Sequence, residues 1–251
     1  MNIIQTFYDK LASEYDKLFS DWKAATDEQA EILKRIFEKH GFEKDAHILD
    51  CACGIGTQAI GLASLGYNVT ASDISEGALS EARKRAAEAK LNIQFENADF
   101  CNLSDSFKEQ FDIVIAMDNA LSHMLSSEMM KKAVFSITDR IKPQGIFVGS
   151  IRDYDALLKT KPPYSPAYIN KKEKGQRVCF QTWGWYGDNY KLTQYIIDDG
   201  EKLNTSKFEC EYRAVKRDEL TNLFLLAGCK DVTWLFPDDT GFYQPIIVAV
   251  R

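Results

Sequence analysis

The sequence predicts an α/β fold in which a mostly parallel sheet is covered by helices on both faces. Short apolar segments alternate with helical patterns from residue 46 to residue 151, and this alternation is typical of parallel sheets. A turn containing two glycines, Gly54 and Gly56, joins the first apolar segment to the next helix. After Arg152, aromatic, β-branched and polar residues alternate, which indicates antiparallel strands.

The first predicted element is a helix over residues 26–41. Thr26 and Gln29 have the spacing of a capping box, apolar residues recur on one helical face, and Gly41 is a natural end. The alternation that follows predicts strands at 47–51, 67–71, 93–96, 111–117 and 146–151, and helices at 57–65, 75–90 and 127–141. Pro143-Gln144-Gly145 predicts the turn before the last of these strands.

The remaining third of the chain predicts a different structure. Residues 160–175 are rich in proline and lysine and predict an exposed loop, whereas 177–200 and 208–215 predict antiparallel strands. A helix over 217–227 and a terminal hairpin of 232–236 with 246–250 complete the predicted elements. We therefore expect a helical cap over 1–45, a core made of 46–151 and 208–251, and an antiparallel insert over 152–207 that forms a lid on the substrate.

Composition restricts the function classes. The chain has 251 residues and a net charge of −6, so it can bury a core unaided and has no general attraction for nucleic acid. We expect no signal peptide, no membrane segment and a cytoplasmic protein. The six cysteines lack the spacing of a disulfide scaffold, and Cys51 and Cys53 lack two further ligands for a metal. A small-molecule substrate is expected, and a homo-oligomer is compatible with the sequence.

Polar residues at the ends of successive predicted strands indicate a cofactor site. Asp50 ends the first strand, and the glycine turn follows it. Asp73 follows the second strand, where a carboxylate accepts hydrogen bonds from ribose hydroxyls. Asp99 and Phe100 follow the third, where they would meet the amino edge and the ring of an adenine.

The glycines alone favour a dinucleotide and S-adenosylmethionine equally. Asp50 favours the second, because a carboxylate before the turn would repel a pyrophosphate but attract an ammonium or a sulfonium. The "NADF" segment, residues 97–100, stands where an adenine is read. The chain also ends in a helix and a hairpin rather than in a second substrate domain.

Three segments carry a family resemblance: "LDCACGIG" at 49–56, "FDIVIAMDNALSH" at 111–123 and "SIRDYDALL" at 150–158. With them the chain resembles the class I S-adenosylmethionine-dependent methyltransferases, most of all the glycine and glycine/sarcosine N-methyltransferase subgroup. The resemblance covers most of residues 5–155 and implies a Rossmann-like, seven-stranded, mostly parallel sheet. One departure is Asp118, which stands before Asn119 where the subgroup has glycine, and this puts plain glycine in doubt as the substrate.

The resemblance also implies roles for individual residues. The implied cofactor-binding residues are Tyr15, Asp50, Ala52, Gly54, Gly56, Asp73, Ile74, Asp99, Phe100 and Met117. The implied substrate-binding residues are Asn119, Arg152, whose guanidinium would grip a carboxylate, and, as a looser match, Tyr212.

Other candidates keep two interpretations. His123 is either a general base or a residue that orients Asn119, and a satisfied polar side chain is an equal alternative. Trp185, with its aromatic neighbours, either encloses a cation in the substrate site or packs within the insert, and Trp22 faces the same choice. We list Asn119 and His123 as catalytic candidates, and Trp22 and Trp185 as substrate-binding candidates.

The predicted reaction is in-line methyl transfer from S-adenosylmethionine to the amine of a small metabolite that bears a carboxylate. Alternatives are O-methylation with His123 as the base, an NAD-dependent oxidoreductase, and a protein that binds the cofactor without catalysis. The methyl acceptor and the number of methyl groups transferred are open.

Overall fold

Two β-sheets organise the chain, which a computed structural model describes over residues 3–251. In chain order the strands are β1 (His47–Asp50), β2 (Asn68–Asp73), β3 (Gln94–Asn97), β4 (Phe111–Ala116), β5 (Ile141–Ser150), β6 (Tyr168–Lys171), β7 (Gln176–Tyr186), β8 (Asn189–Asp199), β9 (Leu203–Arg213), β10 (Asp231–Leu235) and β11 (Ile246–Val250). The α-helices are α1 (Ile3–Leu11), α2 (Trp22–Lys39), α3 (Thr57–Ser64), α4 (Glu76–Glu88), α5 (Leu103–Ser106), α6 (Ser127–Asp139), α7 (Tyr154–Thr160), α8 (Arg217–Leu226) and α9 (Pro237–Thr240). Short 3₁₀ turns cover Ala12–Leu18, Phe100–Asn102 and Ala120–His123.

The larger sheet has seven strands in the order β10-β11-β5-β4-β1-β2-β3. Its β3, β2, β1, β4 and β5 pair in parallel, and β11 inserts antiparallel between β5 and β10. The predicted fold class and the terminal hairpin are therefore confirmed. The connections after β1 and β4 leave in opposite directions along the sheet, which opens a crevice at the carboxyl ends of these strands.

Both faces of the larger sheet are covered, because alternate residues of each strand point to opposite faces. On β4, Ile113 and Ile115 pack in one buried cluster with α2 and α3, whereas Val114 packs in the other with α6 and α8. These strands are apolar on both faces, as expected for a buried parallel sheet. Because helices pack on both faces of the larger sheet, the ends of its strands are held in place. The strand ends in turn set the position of the crevice.

The second sheet is antiparallel, in the order β6-β7-β8-β9. Its last strand, β9, pairs with β8 along its whole length, from Leu203 to Arg213. The predicted boundary between insert and core at residue 208 falls inside this strand, so residues 208–213 lie in the second sheet rather than in the core. Within the predicted loop 160–175 the chain forms β6, which pairs with β7.

Two predicted element ends are wrong. Helix α2 begins at Trp22, and its N-cap is Asp21, whose carboxylate accepts a hydrogen bond from the backbone N–H of Ala24 at 3.0 Å. The predicted cap, Thr26, is buried inside the helix. Strand β5 begins at Ile141 rather than at 146, and the predicted turn around Gln144 is an irregularity in its pairing with β4.

The N-terminal segment folds over the carboxyl edge of the larger sheet. Helix α1 packs against α4 and β9, and the carboxylate of Asp9 accepts hydrogen bonds from Ser75 Oγ at 2.6 Å and from the N–H of Gly77 at 3.0 Å. Over residues 3–251, none of the helices combines the length and apolar character that crossing a bilayer requires. The N-terminal segment and the second sheet therefore enclose the crevice from two sides.

Candidate functional site

The loop between β1 and α3 uses its two glycines differently. Gly54 has φ +53°, and a Cβ built there would meet no atom within 4 Å, so this glycine faces open space. Its N–H donates to Asp73 Oδ2 at 2.8 Å. Gly56 has φ +91° and precedes the first turn of α3, and a Cβ there would lie 2.9 Å from the side chain of Ile60. Gly54 thus leaves room for a ligand, whereas Gly56 permits the turn and the packing of α3.

A cavity opens beside Gly54 at the carboxyl ends of β1, β2, β3 and β4. Most of the residues predicted to bind the cofactor line it: Tyr15, Ala52, Gly54, Asp73, Ile74, Asp99, Phe100 and Met117. Asp50 and Gly56 are not among the lining residues. Strand ends and the family resemblance together therefore predicted residues that converge on one cavity, and the role of these residues in binding a cofactor stays a prediction.

Three carboxyl groups surround the inner end of the cavity, on Asp50, Asp73 and Asp118. Over residues 3–251 none of the three forms a salt bridge. Asp50 is 1% exposed; its Oδ1 accepts a long hydrogen bond from the N–H of Ala52 at 3.4 Å, and its Oδ2 has no partner within the described chain. Burial raises the pKa of Asp50 to about 8. The carboxyl therefore keeps its proton at neutral pH, and a cationic ligand without phosphate would favour its ionised form.

Asp73 and Asp99 also shape the loops that follow their strands. Asp73 accepts from the N–H of Gly54 and, at 2.9 Å, from the N–H of Ser75. Burial raises the pKa of the Asp73 carboxyl despite these hydrogen bonds. Asp99 accepts from the N–H of Cys101 at 2.8 Å, and half-buried Phe100 lies next to it in the cavity wall. The carboxylate of Asp73 is placed where it can accept hydrogen bonds from the two hydroxyls of a ribose, so the cavity fits a nucleoside whose ribose is unmodified.

A second, wider cleft adjoins this cavity. It is enclosed by the N-terminal segment, β7, β8, β9 and the ends of β4 and β5. Tyr8, Tyr15 and Asp118 line both spaces, so the two meet at these residues. Three of the predicted substrate residues, Asn119, Arg152 and Tyr212, line the cleft.

Trp22 and Trp185 lie outside both spaces. The indole N–H of Trp22 donates to Thr57 Oγ1 at 3.0 Å, and the guanidinium of Arg85 lies 4.5 Å from its ring centre. The indole N–H of Trp185 donates to the carbonyl of Pro162 at 2.8 Å, and its ring packs on Tyr190. Both tryptophans therefore make structural contacts, which was the alternative interpretation of each.

Arg152 is a guanidinium held in the cleft by neutral partners. It donates to the hydroxyl of Tyr190 at 2.7 Å and to Oε1 of Gln181 at 2.9 Å, and it lies 5.0 Å from the ring centre of Trp183. No carboxylate of the described chain lies within salt-bridge distance of it. A permanent positive charge in this position favours an anionic group on whatever occupies the cleft.

Asn119 has an unusual backbone and one unused donor. Its φ is +71°, and that of Asp118 before it is +55°, so two consecutive non-glycine residues are left-handed. Asn119 Oδ1 accepts from Ser122 Oγ at 2.9 Å and from the N–H of Arg152 at 3.1 Å. The buried Nδ2 finds no hydrogen-bond partner within residues 3–251. This amide is therefore fixed in orientation and keeps one unpaired donor at the wall of the cleft.

Both ring nitrogens of His123 are engaged elsewhere. Nε2 lies 2.9 Å from the hydroxyl of Tyr8, and Nδ1 lies 3.3 Å from the carbonyl of Glu211. Since a carbonyl only accepts, Nδ1 carries the proton and Nε2 accepts from Tyr8. Burial lowers the pKa of His123 to about 4. These contacts join α1 to β9 and do not orient Asn119, and they match a satisfied polar side chain better than a base.

Several residues of the site were missed from the sequence. Gln58 Nε2 donates to Gln29 Oε1 at 2.6 Å and to Asp118 Oδ2 at 2.9 Å, and the hydroxyl of Tyr243 donates to Asp118 Oδ1 at 2.7 Å. Tyr8 completes the wall between the two spaces. Amides and hydroxyls in helices and loops carry no spacing signal, and tertiary packing alone brings them together.

A comparison with protein families covers the sequence segment that forms most of the cofactor cavity. Residues 48–145 match the methyltransferase domain family. A glycine/sarcosine N-methyltransferase from Aphanothece halophytica is 24% identical in an alignment that covers 94% of this chain and 87% of the relative. A glycine N-methyltransferase from Rattus norvegicus is 29% identical, over 59% of this chain and 54% of the relative. The similarity thus spans most of the first relative and about half of the second.

Solved structures share the whole architecture. An S-adenosylmethionine-dependent methyltransferase from Clostridium acetobutylicum superposes with a TM-score of 0.75 at 20% identity and covers 97% of both chains. DesVI from Streptomyces venezuelae gives a TM-score of 0.74 at 17% identity and covers 98% of this chain and 97% of the other. At this level of identity the agreement concerns the fold, including the second sheet and the N-terminal segment.

Proposed function

Because this chain is an S-adenosylmethionine-dependent methyltransferase, we propose that its acceptor is the amine of a small metabolite that also carries a carboxylate. The observation that supports the proposal is Arg152, a guanidinium without a carboxylate partner in the cleft that adjoins the cofactor cavity. The unused Nδ2 of Asn119 adds a donor next to it. Together they provide a charged fork and an amide for one carboxylate.

The cofactor cavity has the features that this cofactor needs. The carboxyl groups of Asp50 and Asp73 can balance the positive charge of the cofactor, and Gly54 leaves open space along the loop. Asp73 would hold the ribose hydroxyls, and Ile74, Asp99 and Phe100 would surround the base. When bound, S-adenosylmethionine supplies a methyl group on a sulfonium, which an amine can displace.

The protein contributes position and exclusion of water. Arg152 and Asn119 would hold the carboxylate at one end of the acceptor, so that the amine points toward the junction at Tyr8, Tyr15 and Asp118. Orientation of this kind can supply several kcal/mol, up to about 7–11. The N-terminal segment and the second sheet border the cleft on two sides, and the insert over residues 152–207 would act as the lid on the substrate.

A substrate screen tests the proposal. The full chain is incubated with labelled S-adenosylmethionine and with glycine, sarcosine and larger amino acids, each matched to the amine that lacks its carboxylate. We expect the carboxylated member of each pair to react at least tenfold faster at equal concentration. Equal rates for both members would contradict the role of the carboxylate.

Variants of Arg152 test whether the preference for a carboxylate found in the screen depends on this residue. Arg152→Met should raise the KM of the acceptor about 100-fold, because a charged hydrogen-bonded pair is lost, and should leave S-adenosylhomocysteine affinity within threefold. Arg152→Lys keeps the charge but not the fork and should lie between. The matched control is Arg177→Met. Arg177 lies in β7 of the second sheet and pairs with Asp198 of the neighbouring β8, so this variant should keep the wild-type KM.

A further inference from the structure

Asp118 is a carboxylate at the junction of the two spaces, and the function proposed above gives it no partner. It lines both the cofactor cavity and the cleft. It lies two residues after the end of β4, and the side chain of its neighbour Asn119 accepts a hydrogen bond from the backbone N–H of Arg152. A group bound at Asp118 therefore lies next to the cofactor cavity and in the cleft that Arg152 also lines.

The side chain of Asp118 is held firmly in place. Its two oxygens accept from Gln58 and Tyr243, and its backbone N–H donates to Ser150 Oγ at 2.8 Å. Ser150 Oγ in turn donates to Gln244 at 2.9 Å. All of these partners are neutral, so they fix the carboxylate without cancelling its charge.

The backbone at Asp118 is strained. Its φ of +55° lies in the left-handed region. Glycine adopts this backbone conformation freely, whereas for other residues the conformation costs about 1–3 kcal/mol. A carboxylate retained in such a conformation indicates a role for the side chain. Within residues 3–251, no lysine, arginine or histidine comes within 4 Å of its oxygens, so a cation for it must come from a ligand.

We propose that Asp118 binds the protonated amine of the acceptor and takes one proton from it before methyl transfer. In this step one N–H bond breaks and one O–H bond forms on the carboxylate, which leaves the nitrogen with the free electron pair that it needs as a nucleophile. Burial raises the pKa of the Asp118 carboxyl, which favours this proton on the carboxyl. The groups that face it are Gln58, Tyr15 and Tyr243, with the carboxyl of Asp50 beyond them.

This inference rests on the proposed function but concerns the other end of the substrate. Arg152 recognises a carboxylate, whereas Asp118 recognises the amine, and the two assignments can fail separately. The pair gives the cleft a basic end and an acidic end separated by Asn119. A zwitterionic amino acid, or an N-methylated one, has the matching charges.

The experiment compares Asp118→Asn and Asp118→Gly with the wild type in the full chain. The asparagine variant keeps the shape, and the glycine variant suits the left-handed backbone, so a thermal unfolding scan should find both folded. The probes are sarcosine, or the best amine from the screen, and S-adenosylhomocysteine. We expect the acceptor KM to rise at least tenfold and kcat to fall in both variants, with S-adenosylhomocysteine affinity within threefold of wild type. Asp118→Glu should restore part of the activity.

Asp112→Asn is the matched control, because Asp112 lies on β4, the strand that precedes Asp118, but pairs with Lys142 away from both spaces; the KM of this variant should equal that of the wild type. An unchanged KM in the Asp118 variants would overturn the proposal. A parallel loss of S-adenosylhomocysteine affinity would overturn it as well, since Asp118 would then serve the cofactor. If amines without a carboxylate react equally well, the role of Arg152 fails and Asp118 is still tested on those amines. If the wild type methylates no amine at all, both proposals fail.

Discussion

The cofactor cavity and the acceptor cleft meet at Asp118, yet they are built in different ways. The cavity is formed mainly by loops that follow successive parallel strands, within residues 51–118, and its charge is acidic without a basic partner. The cleft is assembled from the N-terminal segment, the second sheet and the ends of β4 and β5, and it contains the guanidinium of Arg152 in addition to Asp118, which it shares with the cavity. Cofactor recognition is therefore local in sequence, whereas acceptor recognition is a property of the assembled fold.

This difference indicates where specificity can change. A loop at the end of a parallel strand is fixed by the sheet behind it, so the cavity keeps its shape when distant segments vary. The cleft depends on contacts across long separations, such as Tyr8 with His123 and Arg152 with Gln181. Substitutions in the insert can reshape the cleft and leave the cofactor cavity unchanged.

In the cofactor cavity, the largest effect is expected at Asp73. Asp73→Ala removes the predicted ribose contact and the acceptor for the N–H groups of Gly54 and Ser75. We expect S-adenosylhomocysteine affinity, measured by calorimetry, to fall at least tenfold, while the acceptor KM at saturating cofactor stays within threefold. Asp112→Ala serves as the control. Wild-type affinity in Asp73→Ala would remove Asp73 from the ribose site.

The stability of the folded protein is expected to depend on pH through the buried carboxyl of Asp50. Its pKa in the folded chain is about 8, raised mainly by burial, against an ordinary value of 3.8. The folded state therefore holds this proton more tightly than the unfolded state does. The free energy of unfolding should fall as pH rises from about 4 to about 8 and then level off.

Denaturant unfolding of the cofactor-free protein at pH 5, 6, 7 and 8 measures this slope. Asp50→Asn cannot ionise, so its stability should fall less with pH than that of the wild type, by at least about 1 kcal/mol over the range. Asp73 and Asp118 also have raised pKa values, and the variant separates Asp50 from them. Parallel slopes in the two proteins would show that Asp50 does not contribute.

The ease of prediction follows the same division between the two regions. The strands β1 to β5 were evident because buried parallel strands are apolar runs bounded by turns, and Asp73, Asp99 and Met117 stand directly at their ends. A residue at a strand end reaches the crevice whatever the distant parts of the chain do. Position along the sequence was therefore sufficient for most of the cavity wall.

The cleft could not be predicted to the same depth. Tyr8 and Tyr243 reach it from two distant segments, and Gln58 reaches Asp118 at its junction with the cavity. The sequence positions of these hydroxyl and amide groups do not predict that they come together. Aromatic residues in α2 and β7 have the composition of a substrate pocket, but side-chain direction decides whether they face it. Trp22 and Trp185 face other parts of the protein, and only the packing shows this.

The smallest effect is expected at Trp22, and it tests whether aromatic composition or packing identifies the acceptor site. Trp22→Phe keeps a ring beside Arg85 but removes the hydrogen bond to Thr57, so the free energy of unfolding should fall by about 1 kcal/mol. Because the ring lies outside the cleft, the acceptor KM should stay within twofold of wild type. Trp185→Phe, which loses its bond to the carbonyl of Pro162, should behave in the same way. A tenfold rise in KM for either variant would mean that the acceptor extends beyond the cleft and contacts that tryptophan. The residue would then have to be counted as acceptor-binding and not as structural.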